Sequence, residues 1–225
     1  IEFVEIGKLK TNYPNLFSFL SHYKSKLDNS KRDIKPTPAT ANEWYRYGRH
    51  QSLDKCDVPA KIIVGVLAQG NKYAIDYFGT LISSGGTAGY CMITLPDDFP
   101  YSIYYIQALL NSKYLEWFSA LIGEVFRGGY IARGTKVLKK LPIRIIDFDN
   151  KEEKSMHDKI ASIQKDLIDI QGQIDKNKGN NRKLIPLQRQ FDSQKNELDQ
   201  TLNTLFNLGE SDNLIPLISK LYATN

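Results

Sequence analysis

Two runs of apolar residues in the last third of the chain constrain its fold more than any other feature. Met156, Ile160, Ile163, Leu167, Ile170 and Ile174 fall at alternating steps of four and three. Leu184, Leu187, Phe191, Gln194, Leu198, Thr201 and Leu205 repeat the pattern. Such steps place side chains along one stripe of an α-helix, as an a/d seam does. Between the seams lies Asn177-Lys178-Gly179-Asn180-Asn181, a cluster of turn formers. The spacing predicts helices over about 152–176 and 184–208, joined by roughly seven residues and folded back as an antiparallel hairpin. Pro186 falls in the first turn of the second helix, where a missing N–H is tolerated. Gln194 and Thr201 make the second seam less continuous. Ser211-Asp212 is positioned to cap a short last helix carrying Leu214, Leu217, Ile218 and Leu221.

Upstream the periodicity changes. Pro14 opens a helix over 14–28 with Leu16, Phe17, Leu20, Tyr23 and Leu27 on one face. Residues 31–42 are rich in Pro and charge and form an irregular connection. Lys61–Leu67, Tyr73–Phe78 and Tyr90–Leu95 are β-rich runs separated by Gly- and Asn-containing turns. Helices follow near 102–112 and 113–122, with Asn111 and Ser112 as hydrogen-bonding residues at the helix ends. Lys136–Ile146 returns to strand, with Pro142 marking an edge or a strand start. The chain is thus α+β: a mixed β-sheet domain with flanking helices over 1–150, then a two-helix coiled-coil hairpin and a short C-terminal helix over 151–225.

Charge separates the same parts. Residues 151–225 carry eleven basic and eleven acidic groups, the even mixture of a solvated helix surface. Residues 1–40 carry seven and four, and residues 41–150 carry twelve and ten. The excess peaks at Arg127, Arg133, Lys136, Lys139, Lys140 and Arg144, with Glu124 opposing. A patch of this kind suits a polyanion, although a basic isoelectric point also occurs in proteins that never meet DNA.

Chemistry is harder to find. The sequence has no Gly-x-x-x-x-Gly-Lys-Ser/Thr loop and no Gly-x-Gly-x-x-Gly after a strand. Gly85-Gly86-Thr87-Ala88-Gly89 runs into a strand rather than a helix. His22, His50 and His157 lack ligand spacing and read as surface residues. His50 with Cys56 has nothing to orient the imidazole, and Asp97-Asp98 suit helix capping better than catalysis. Two cysteines make neither a disulfide framework nor a four-ligand metal site, so a reducing cytoplasmic setting is the default. No apolar stretch is long enough to span a bilayer, so no membrane contact is expected. The start, Ile1-Glu2-Phe3-Val4-Glu5, has neither initiator Met nor signal pattern, and the chain reads as a fragment of something larger.

Several short motifs in a fixed order carry a resemblance. They are Tyr13-Pro14-Asn15-Leu16, Trp44-Tyr45-Arg46-Tyr47, Pro59-Ala60-Lys61-Ile62-Ile63-Val64, Leu109-Leu110-Asn111-Ser112 and Leu141-Pro142-Ile143. With them the chain resembles the TaqI-like C-terminal specificity domain. That domain is the target-recognition region of fused restriction-modification enzymes and adenine-N6 DNA methyltransferases, and it is related to type I specificity subunits. The resemblance implies a bacterial, cytoplasmic, non-catalytic module that binds double-stranded DNA for a methyltransferase or nuclease domain of the same parent or for another subunit. It implies no cofactor in this segment; a parent enzyme would use S-adenosylmethionine and Mg. The Asn-Pro-Pro-Tyr of the methyltransferases is absent here and would precede Ile1. The strongly heptad-patterned hairpin leans toward the type I arrangement, so a half-module of a type I subunit stays open. So does a helical interaction scaffold with no DNA role.

As a DNA reader, the chain offers three candidate contact regions. In the first, Arg127 and Arg133 fork onto guanine, Gly128 and Gly129 allow close backbone approach, Tyr130 lies between them, and Lys136, Lys139 and Lys140 meet phosphates. Lys139 and Lys140 equally suit a solvated strand start. In the second, Arg46, Arg49 and Gln51 are base-capable. The third is the turn bearing Asn71 and Lys72. The hairpin serves as spacer, docking arm or simple completion of the fold.

Overall fold

The computed structural model describes residues 4–28, 42–46, 58, 60–80, 82 and 89–208. It divides into two compact units, Ile1–Cys56 and Asp57–Asn225. The first contains α1 (Ile6–Asn12), α2 (Pro14–His22) and α3 (Lys24–Asp28). The helix expected over 14–28 therefore comes in two pieces. The Tyr23 N–H closes back onto the Leu20 carbonyl at 3.0 Å, a tighter turn than the α-helix. Trp44 is buried, and the Lys24 ammonium lies 5.6 Å from its ring centre.

The second unit starts with β1 (Lys61–Gly65), which pairs antiparallel with β3 (Tyr73–Asp76) on one side and β4 (Tyr90–Ile93) on the other. Ile62 and Val64, with no accessible surface, enter the core from one face of β1. Lys61 lies directly opposite Asp76 in the register, and its ammonium is 2.8 Å from the carboxylate. Asp76 also accepts the Phe78 and Thr80 N–H groups and the Thr80 hydroxyl. A buried ion pair persists when its remaining hydrogen-bond capacity is filled in this way.

The apolar run continuing to Leu67 predicts a single strand, but the chain leaves the first sheet at Val66. Its N–H bonds to the Gly89 carbonyl and its own carbonyl accepts the Arg133 N–H. β2 (Leu67–Ala68) then joins a second antiparallel sheet of order β2-β6-β5, with β5 at Val125–Phe126 and β6 at Tyr130–Ala132.

α4 (Ile103–Leu110) and α5 (Lys113–Ile122) match the sequence expectation closely. Ser102 caps α4 and Ser112 caps α5, their hydroxyls accepting the Tyr104 and Leu115 N–H groups. The capping role expected of Asp97-Asp98 is thus filled by Ser102, and the two aspartates form a turn. Two further corrections concern neighbouring segments. His157, expected on the surface, is buried among Tyr101, Tyr105 and Phe148, where its Nε2 accepts the Ser102 N–H. The strand expected over Lys136–Ile146 is instead α6 (Thr135–Leu138) followed by a stretch with no ladder. Pro142 has no N–H to donate. Tyrosine hydroxyls take over the pairing: Tyr101 accepts from the Ile146 N–H, and Tyr105 donates to the Arg144 carbonyl. Leu141, Ile143 and Ile146 reach the core against helices, so their apolar spacing needs no neighbouring strand.

The hairpin forms as predicted, with α7 (Lys151–Lys176) and α8 (Asn181–Leu205) packed together. The loop is shorter than expected and turns at Gly179, φ +95°. Because α8 starts at Asn181, Pro186 sits in its second turn and denies a partner to the Arg182 carbonyl. Ile160, Ile163 and Leu167 meet Leu198, Leu202 and Leu205, and the same core holds Tyr105, Leu109, Leu115, Ile62 and Val64. The core is therefore continuous across residue 150. The last helix expected from Ser211 lies outside the described residues. Among the described residues no helix is long and apolar enough to cross a membrane.

Lys61, with help from Thr80 and Phe78, holds the Asp76 carboxyl well below its ordinary value of 3.8. The folded state then binds fewer protons than the unfolded chain. The stabilisation is present above pH of about 4 and is lost progressively as the pH falls below it. Asp76→Asn should lower stability at neutral pH and flatten this acid limb in urea midpoints measured against pH. An acid limb as steep as that of the parent would rule the pair out as its source.

Candidate nucleic-acid interface

The glycine-rich basic stretch is a β-hairpin. Val125 pairs with Ile131 and Phe126 with Tyr130, leaving Arg127-Gly128-Gly129 as the connection. Gly128 and Gly129 have φ of +82° and +72°, values at which a side chain is strained. Their requirement is thus set by the turn itself; the earlier expectation was close approach to a duplex. Short β-prone runs, Val125-Phe126 and Tyr130-Ile131, on either side of a glycine-containing connection of three residues are a hairpin signal in their own right. Gly123 makes the reversal from α5 possible. A Cβ there would lie 2.5 Å from Ile131 Cγ2 and 2.7 Å from the Ala132 carbonyl oxygen.

Arg127 and Tyr130 are exposed at this tip. Arg133, six residues further on, is not. Its side chain has no accessible surface, and its guanidinium bonds to the Glu116 carboxylate at 3.1 Å and to the Ile131 and Ala68 carbonyls. The expected fork onto guanine is therefore corrected: Arg133 fastens β2 and β6 to α5. Burial raises the Glu116 pKa, opposed by the Arg133 charge. Burial lowers that of Arg133, opposed by Glu116. Burial also pushes the Tyr73 phenol up to about 12.

Lys136, Lys139 and Lys140 are exposed on and just after α6, which is anchored by buried Val137. A cleft of about 520 Å³ lies between α6 and the hairpin. Val66, Ile122, Phe126, Ala132 and Val137 line it together with Lys136, Lys140 and Glu124. Asn71 is also corrected. Its side-chain amide donates to the Leu110 and Ser112 carbonyls at 2.7 and 3.2 Å, so it secures the α4–α5 junction instead of facing a base. Lys72 beside it is exposed. Gln69 in the same turn donates to the Gly128 carbonyl, which ties the Lys72 turn to the Arg127 tip. Sequence reasoning gave Gln69 no such role, because nothing local marks a contact between residues so far apart in the chain.

Asn111 plays the part of an absent strand. Its amide donates to the Tyr73 carbonyl at 2.9 Å and accepts the Tyr73 N–H at 3.3 Å, closing the outer edge of β3. In the first unit, Arg46 is half-buried and pairs with Glu43 at 2.7 Å. Arg49, Gln51, His50 and Cys56 lie outside the described residues. Among the described residues no group of three or more His, Cys, Asp or Glu side chains could hold a metal ion. Burial pushes the Cys91 thiol up, away from the thiolate form.

Comparison with known proteins gives two matches. The profile of the TaqI-like C-terminal specificity domain matches residues 4–143. The sequence is 50% identical over 222 residues to a Type II restriction enzyme and methyltransferase, RM.Eco57I, of Escherichia coli. That alignment covers 99% of this chain and 22% of the E. coli protein, so the chain spans under a quarter of that relative's length.

The two arginines of the hairpin region should separate in a stability measurement. Arg133→Ala leaves Glu116 buried without its counter-charge and should cost about 3–5 kcal/mol in chemical unfolding. Arg127→Ala should stay within about 0.5 kcal/mol of the parent. Equal effects would contradict the roles given to them.

Proposed function

Since this chain belongs to the TaqI-like C-terminal specificity domain family, we propose that it reads duplex DNA by sequence for a restriction-modification enzyme. The observation that carries this reading is the gathering of exposed cations. Lys136 and Lys140 line the cleft together with Phe126 and Glu124, and Lys139 is exposed next to Lys140. Arg127 is exposed at the hairpin tip next to Phe126, and Gln69 ties the Lys72 turn to that tip. In this reading Arg127 forks onto a guanine edge in the major groove, while the lysines meet phosphates. Gly128, Gly129 and Tyr130 shape the tip. Arg46 keeps a place as a contact from the first unit.

The catalytic work belongs to a methyltransferase or nuclease domain of the parent, in a bacterial cytoplasm. S-adenosylmethionine and Mg would be held there. The distal half of α7–α8 lies outside the shared core, and residues 151–225 as a whole carry eleven basic and eleven acidic groups, which suits an arm that spaces or docks that domain.

Binding of the 225-residue chain to duplex DNA should be measured against salt concentration. Replacing Lys136, Lys139 and Lys140 together by Ala should lower the slope of log affinity against log salt by about 2–3, one released counterion per lost phosphate contact. Arg127→Ala should cost about 1–3 kcal/mol of preference for the selected sequence over a random duplex and leave most non-specific affinity. Undetectable binding at low salt would defeat the DNA reading.

A further inference from the structure

We propose that Phe126 is a specificity-determining residue that reads the C5-methyl group of a thymine in the major groove, next to the base read by Arg127. This rests on the DNA reading proposed above and extends it to a second base. The hairpin tip is unusual for a cationic surface because its flanks are apolar. Val125 is 53% exposed, Phe126 39% and Tyr130 41%, and Leu121 at the end of α5 is 59% exposed. Phe126 and Tyr130 stand directly opposite each other in the register, one on either side of Arg127 and the two glycines.

A two-stranded ribbon fits the width of the major groove. Nearly everything the groove presents is a hydrogen-bond donor or acceptor; the apolar group among the base edges is the thymine methyl. An apolar side chain carried into the groove beside a guanine-reading arginine therefore has one class of base partner.

Phe126 suits that contact better than Tyr130. The Tyr130 ring lies over the turn, 3.7 and 3.8 Å from where a Cβ on Gly128 would be, and it carries a hydroxyl. Phe126 has no polar atom to offer. It also lines the cleft, together with Val66, Val137, Lys136 and Lys140. A methyl group placed against Phe126 leaves water for an apolar surface, while the lysines stay free for the backbone.

The test uses the wild-type chain and a duplex that it selects from a randomised pool. Each thymine of that duplex is replaced in turn by deoxyuridine, which removes only the methyl group. Wild-type affinity should fall about fourfold at one thymine within two base pairs of the guanine whose replacement mimics Arg127→Ala. Phe126→Ala should bind the thymine and deoxyuridine duplexes alike, and Phe126→Leu, which keeps an apolar contact, should retain part of the difference. Wild-type indifference to every substitution overturns the proposal, as does a Phe126→Ala chain with the wild-type ratio. Selective binding with no methyl effect defeats this inference alone. No binding to any duplex at low salt defeats the DNA reading beneath it.

Discussion

A guanidinium with no accessible surface holds the second sheet in place. Arg133 reaches the Ala68 carbonyl on β2, the Ile131 carbonyl on β6 and the Glu116 carboxylate on α5, while its N–H bonds to Val66 between the sheets. β2 and β5 have two residues each and β6 has three, too few for an independently stable sheet. Burying an ion pair gives little net stability against an apolar alternative. Its value here is directional: four bonds from one residue determine where the hairpin emerges. Sheet and helix could slide past each other if the contact were purely apolar.

A second set of polar contacts does the same for the first sheet. Asn111 pairs with both backbone groups of Tyr73, and Gln107 donates to the same carbonyl at 2.9 Å. Gln164 on α7 donates to Gln107 in turn at 3.0 Å. A connected run of amides thus links β3, α4 and the long hairpin through the interior. Buried polar networks whose members are paired rigidify and specify a core. The framework that results is stiff where it carries the tip and bare where the tip meets solvent, the arrangement a recognition site requires.

The sequence patterns and the structure agree most closely where the signal is local. The 3.5-residue seam located α7 and α8 to within a few residues, since such a stripe persists only along a helix whose one face is buried. Ser112 announced itself as a cap by its place before Lys113–Ile122. Agreement weakened where an alternating apolar pattern had two ways to be buried. Leu141, Ile143 and Ile146 suit a strand against a sheet or an extended segment against helices, and tyrosine hydroxyls made the second possible. His157 lacked any local mark of burial because its partner, Ser102, is remote in sequence.

The candidate site divides along the same line. The sequence alone determined that cations and glycines concentrate between α5 and α7; that Gly128 and Gly129 serve a turn at positive φ came from the folded hairpin. Which cations face outward was decided by tertiary contacts. Arg127 and Arg133 are the same residue type in the same short segment, and no periodicity distinguishes them. Glu116 and the Ala68 carbonyl, brought together only when α5 packs beside β2, draw Arg133 inward and leave Arg127 at the tip. Burial of a charge depends on a partner supplied from elsewhere in the chain, so the answer was written in the folded contacts and not in the local sequence.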